Sequence, residues 1–258
     1  GSFIGNLSIK NHGHNRYGSE GTLEDWGHKG NGFWFQGPFL HVRDNISSGA
    51  KSVAFSAWYT RGERAVDGIA KVERKHAAEP ELQYMEWLEP IKDPNGDAEQ
   101  STGLYAEPGW IDPIHLPSNE HNGNTAYASP AAIINDGFHP GRGRLYGDFI
   151  NFTAWNVVRG TTNGYASNMR WTNITLISDP ANPGHIGMED PVQVDGGHIE
   201  GFPLGIRLHT SNINGDTGSH VENVTMKNFI NIFYNASNNN ENLRIRNMNF
   251  DTVSTAQL

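Results

Sequence analysis

Arg159 and Arg207 stand 48 positions apart, beside the apolar residues Val158, Ile206 and Leu208 of alternating stretches. Guanidinium groups hold carboxylates through paired hydrogen bonds. Two of them therefore suit an acidic glycan, whose carboxylate must be neutralised before a proton can leave C5. That proton needs an acceptor working near neutral pH, which imidazole and, less readily, phenol provide. His121 and His209 are the catalytic imidazole candidates, with His139 nearby and Tyr127 or Tyr165 as the second group. Each alone also reads as an ordinary loop residue, and the arginines as solvated outer-face side chains.

The densest acidic group is Glu189, Asp190 and Asp195, within Met188-Glu-Asp-Pro-Val-Gln-Val-Asp195. It could hold Ca2+, or supply the carboxylate pair of a glycoside hydrolase, or be a solvated turn. His12 and His14 with Asp25 and His28 make a second, weaker metal candidate against the alternative of surface turns. Seven tryptophans offer rings for stacking on sugar faces. Trp34, Trp58, Tyr59, Tyr127 and Trp155, with Arg61, are the substrate-binding candidates, and Trp87, Trp110 and Trp171 are further rings. Phe33 and Phe35 alternate with Trp34, so the two phenylalanines are expected inward and the indole outward.

Such scattered residues share a surface only if the chain stacks them. Ile150, Ile174, Ile199, Val224 and Met248 recur at steps of 24, 25, 25 and 24, and each opens a short alternating run. A run that short cannot bury one face alone, so neighbouring repeats must stack, about 4.8 Å apart, around a common interior. The pattern predicts an all-β fold, a right-handed parallel β-helix with rungs of about 24–25 residues. Asn45, Asn173, Asn223 and Asn247 precede the first apolar residue of a rung, where asparagine takes a left-handed conformation and bonds its equivalent one rung away. A second apolar position follows seven residues later at Ile46 to Val53, Ile150 to Val157 and Ile199 to Ile206. That implies two sheets per turn, with room for a third. On this scheme Arg159 and Arg207 sit two rungs, or about 10 Å, apart on one face.

Residues 63–117 break the pattern. The stretch is charged, holds six prolines and suggests short helical turns around Val66-Ile69-Val72 and Leu82-Met85-Leu88. It reads as an irregular insertion over one face. Gly1-Ser2 reads as a cloning scar and residues 3–258 as a single domain. The mid-rung start and the lack of a polar end cap suggest a piece of a larger protein, its ends covered by further domains or subunits.

Composition narrows the classes. The chain has 258 residues, 30 glycines, no cysteine and a formal charge of −9. Disulfides and thiolate metal sites are excluded, a nucleic-acid partner is disfavoured for want of a basic stripe, and no apolar run reaches membrane-spanning length. Six Asn-x-Ser/Thr triplets, at Asn6, Asn45, Asn151, Asn173, Asn223 and Asn235, coincide mostly with the repeat itself and so read as turns rather than glycosylation sites.

The rungs, together with Gly30-Asn-Gly-Phe-Trp-Phe-Gln-Gly37, Asn124-Thr-Ala-Tyr-Ala-Ser-Pro130 and Arg159-Gly-Thr-Thr-Asn-Gly-Tyr-Ala-Ser-Asn168, resemble bacterial parallel β-helix-repeat proteins of the pectate-lyase-like superfamily. The resemblance implies the fold and a polysaccharide partner, in an extracellular or cell-surface setting, and leaves the reaction open. A polygalacturonase-type aspartate pair and the vicinal pectate-lyase signature are missing from this sequence. The expectation is a polysaccharide-active chain that acts on a uronate-containing glycan by lyase or C5-epimerase chemistry, with Ca2+ as the one cofactor to consider. The alternatives are a non-catalytic glycan-binding or adhesion module, and a glycoside hydrolase.

Overall fold

A computed structural model of the chain describes residues 1–12, 30–35, 40–58, 72–73, 110–111, 120–136, 147–162, 169–182, 184, 186–189, 193–208, 220–235 and 244–251. These residues form strands and turns with no helix among them. The first three strands are β1 (Ser2–Ile4), β2 (Leu7–Ile9) and β3 (Phe33–Phe35), followed by β4 (His41–Arg43), β5 (Ile46–Ser48) and β6 (Val53–Trp58). The short β7 (Val72–Glu73) and β8 (Trp110–Ile111) pair antiparallel within the 63–117 stretch. Val72, expected in a helical turn, is therefore in a strand; Leu82, Met85 and Leu88 lie outside the described residues.

The triplets then resume with β9 (Glu120–Asn122), β10 (Thr125–Tyr127) and β11 (Ala131–Asp136), then β12 (Gly147–Ile150), β13 (Thr153–Val157) and β14 (Arg159–Thr162). Next come the ten-residue β15 (Met169–Ser178) with β16 (Ile186–Glu189), β17 (Gln193–Glu200) with β18 (Leu204–Leu208), and β19 (His220–Lys227) with β20 (Asn231–Asn235). The last two are β21 (Arg244–Arg246) and β22 (Asn249–Asp251).

Each triplet is one rung, and its members join three parallel ladders. The first runs β1-β4-β9-β12 and into the front halves of β15, β17 and β19, ending on β21. The second runs β2-β5-β10-β13 and into the back halves of the same long strands, ending on β22. The third is the seven-stranded sheet β3-β6-β11-β14-β16-β18-β20. Two sheets per turn thus become three ladders, two of them fused through β15, β17 and β19.

Fusion is possible because the bend between the first two ladders needs only one residue. Gly5, Asp44, Gly123, Asn151, Asn173, Gly196, Asn223 and Asn247 stand there, one per rung, all with positive φ. Only glycine, asparagine and aspartate take that conformation cheaply. Asn173, Asn223 and Asn247 therefore behave as the repeat suggests, and bonds run from Asn173 Nδ2 to Asn151 Oδ1 (2.7 Å) and from Asn247 Nδ2 to Asn223 Oδ1 (3.1 Å). Asn45 belongs to a different column, one residue further on and inside. Its Nδ2 donates to Asn124 Oδ1 (2.9 Å) and to the Phe3 carbonyl (2.8 Å), while its Oδ1 accepts from the Asn6 backbone and side chain (both 2.9 Å).

The register corrects the period. Ile174 lies beside Gly197, and Gly197 beside Val224, whereas Ile199 lies between Leu176 and Met226, with Phe250 on the far side of Met226. Both columns face inward, but Ile199 is not in the Ile174 column. From Ala154 the steps to Leu176, Ile199, Met226 and Phe250 are 22, 23, 27 and 24 residues, so the even spacing averages unequal corner lengths. Ile46 and Ile150, read as inward, are exposed. They sit directly beside the tight bend, where alternation starts one residue later.

The interior is a set of stacks. Phe149 packs on Trp171 (centroids 4.4 Å apart) and His121 on Phe149 (4.6 Å), while Phe33 stacks on Phe55 (5.2 Å) in the third ladder. His121 is 4% exposed and its Nε2 has no hydrogen-bond partner. Desolvation pushes its pKa down to about 3 from the ordinary 6.5.

Two outcomes follow from this interior. Asn45→Ala takes the side-chain donor from the Phe3 carbonyl and from the buried Asn124 Oδ1, and should lower the unfolding free energy in urea by about 2 kcal/mol. For His121 the unfolded chain binds the proton more readily, so stability is full above pH 6.5 and falls as pH drops from there towards about 3. The slope is at most about 1.4 kcal/mol per pH unit, and His121→Leu should remove that component from the urea midpoint measured against pH.

Candidate functional site

Strand alternation sends every second side chain of the second ladder outward, and parallel register lines these up into two columns. One contains Tyr127, Trp155, Ile177, Glu200 and Lys227. The other contains Thr125, Thr153, Thr175, His198 and Thr225. At the β2 end the face is apolar, with Leu7, Ile9 and Ile46 all exposed.

Tyr127 and Trp155 form the centre. Direct register neighbours, they bring their rings to 5.1 Å at a tilt of 40°. They remain 38% and 40% exposed, so the pair is open to solvent instead of packing into the core. The threonines alongside are half-buried, and their hydroxyls offer both donors and acceptors beside the rings.

Two rungs beyond Trp155 the face turns ionic. His198 and Glu200 are two apart in β17 and therefore point the same way; His198 Nε2 lies 2.8 Å from Glu200 Oε2. The other oxygen, Oε1, faces Lys227 Nζ at 3.5 Å and accepts from Asn228 Nδ2 at 3.4 Å. The hydrogen bond with His198, with lesser help from Lys227, holds the Glu200 carboxyl below its usual range.

The residues singled out from sequence are distributed as follows. Tyr127 and Trp155 come together. Arg159 and Arg207 do lie on one sheet two rungs apart, but three positions out of register, because Met188 pairs with both Thr161 and Ile206. Arg207 is tied to Glu189 at 2.7 Å, while Arg159 is exposed at the start of β14. His121 lies in the core, between Phe35 and Phe149, away from any solvent-facing substrate. Burial also removes Trp171 from the ring candidates. Trp34 does turn away from the inward Phe33 and Phe35 and is half-buried.

Glu189 and Asp195 are separated, the first on the third ladder and the second on the outer face of the first, where it accepts from Asn223 Nδ2 at 2.7 Å. Among the described residues no group of three or more histidines and carboxylates is placed to hold a metal ion. Trp58 is in β6 opposite Asp136. The side chain of Trp58, and Tyr59, Arg61, Trp87, His139, Tyr165, Asp190, His209, His14, Asp25 and His28, lie outside the described residues. His12 is exposed.

His198, Glu200 and Lys227 went unnoticed in the sequence. The clue was present in His198-Ile-Glu200, a polar-apolar-polar triplet, but only the 23- and 27-residue steps place it beside Thr175 and Thr225. No helix among the described residues is long and apolar enough to cross a membrane. Compared with known proteins, the chain matches no family model, no curated protein and no solved structure.

The His198–Glu200 contact has a direct signature. In a carbon-detected titration the Glu200 carboxyl should lose its proton below the ordinary glutamate range, and His198→Ala should move that midpoint upward. An unmoved midpoint would mean that the two groups do not touch.

Proposed function

We propose that the chain is a right-handed parallel β-helix whose second-ladder outer face binds a polysaccharide outside the cell or at its surface. Parallel connections within one sheet are right-handed in about 98% of cases, which supplies the hand. The carrying observation is the Tyr127–Trp155 pair: two exposed rings on neighbouring rungs, tilted to one another and following the axis on which the rungs repeat. Aromatic faces stack on the C–H faces of sugars, and a stripe of them suits a chain of sugars better than one small molecule. The Thr125-Thr153-Thr175 column alongside is suited to sugar hydroxyls.

A uronate-containing glycan is the favoured class. Arg159 is exposed, has no side-chain partner among the described residues, and begins the next strand of the same rung as Trp155. It is available to a carboxylate, and binding through it weakens with salt. The formal charge of −9 argues that this attraction is local, not a property of the whole surface.

Tyr127→Ala and Trp155→Ala should each reduce affinity for the bound polysaccharide about tenfold, measured by affinity electrophoresis or calorimetry across alginate, pectin, hyaluronan and neutral glycans. Both side chains are exposed, so circular dichroism should be unchanged. Binding undiminished in the double variant would overturn the proposal.

A further inference from the structure

The ionic end of this face holds more than a binding ridge requires. Glu200 has both oxygens engaged, Oε2 by His198 and Oε1 by Lys227 and Asn228. A carboxylate accepts, so the Nε2 at 2.8 Å carries the hydrogen, and in the neutral imidazole Nδ1 then keeps its lone pair. Among the described residues nothing bonds that Nδ1. The side chain is about one-third exposed, and the residues flanking it in its column are Thr175 and Thr225. An imidazole fixed through one nitrogen by a carboxylate, with the other nitrogen open beside a ligand-binding surface, is the arrangement of a general base.

Resting on the glycan reading above, we infer that His198 is a proton-transfer catalyst acting on a uronate chain laid along the Tyr127–Trp155 ridge. Glu200 is its positioning residue. Trp155, Ile177 and Glu200 occupy successive rungs of one column, so the reacting sugar lies about 10 Å from the indole. Lys227, in the next rung, supplies a cation for the sugar carboxylate, sharing its charge with Glu200. Neutralising that carboxylate acidifies the C5–H.

The step is a β-elimination. Nδ1 of His198 takes the proton from C5, and the C–H electron pair becomes the C4=C5 double bond. The C4–O bond breaks with its electrons going to oxygen, and the imidazolium returns the proton to that oxygen. Atoms and charge balance without water, oxidant or a second substrate.

The test uses the whole chain with alginate, polygalacturonate and hyaluronan, following the ultraviolet absorbance of the unsaturated uronate together with binding. The wild type should form the chromophore on at least one glycan that it binds. His198→Ala should lose at least about a hundredfold in rate while retaining binding. Glu200→Gln should lower kcat with KM little changed, because the imidazole is no longer held in place while the glycan still binds. Binding without turnover by the wild type, or turnover undiminished in His198→Ala, would overturn this inference and leave the binding face standing. Failure to bind any of these glycans or neutral ones would overturn both.

Discussion

Every surface described here depends on one backbone constraint, the positive-φ residue between the first and second ladders. Eight successive rungs place glycine, asparagine or aspartate there, and at none of them does the chain use a residue for which the conformation is costly. The bend it makes is so tight that β15, β17 and β19 run through it without leaving their ladders. The tightness also fixes phase. Whatever the length of the excursion that precedes a rung, the next bend resets which residues point in and which point out. That is how a rung can begin 79 residues after its predecessor, as Asn124 follows Asn45, and still bond it through Oδ1.

Fixed phase is what separates core chemistry from surface chemistry in this molecule. His121 and His198 are both histidines in strands of the fused sheet, and parity alone divides them. His121 falls inward and is kept neutral by desolvation between Phe35 and Phe149. His198 falls outward, next to a carboxylate and in reach of solvent. The Asn6-Asn45-Asn124 stack shows the same logic in a polar setting: the buried amides of Asn45 and Asn124 are tolerated because each finds a partner directly above or below.

The repeat, the parallel stacking and the turn role of Asn173, Asn223 and Asn247 were legible in the sequence because they depend on local rules, alternation and left-handed propensity. Exact register was not. Pairing Ile199 with Ile174 instead of Leu176 requires an error of only two residues, which conserves inward parity and so leaves no trace in the hydrophobic pattern. The site suffered more from that error than the core did. Two residues of slip exchange one inward apolar residue for another, but on the outer face they decide whether His198 lies beside threonine, and in the third ladder a three-residue offset separates Arg159 from Arg207. Tyr127 and Trp155 were found separately as rings, and only the 28-residue step between their rungs makes them a pair.

The most direct test of the account is therefore one of register. The chain contains no cysteine, so introduced pairs report without background. Thr153 and Thr175 are direct neighbours on the outer face, whereas Ile177 lies in the adjacent column opposite Trp155. A Thr153→Cys, Thr175→Cys double variant should form its disulfide under mild oxidation, read by mass spectrometry of the joined peptides, and Thr153→Cys with Ile177→Cys should not. Crosslinking of the second pair in preference to the first would contradict the stacking from which the whole face is built.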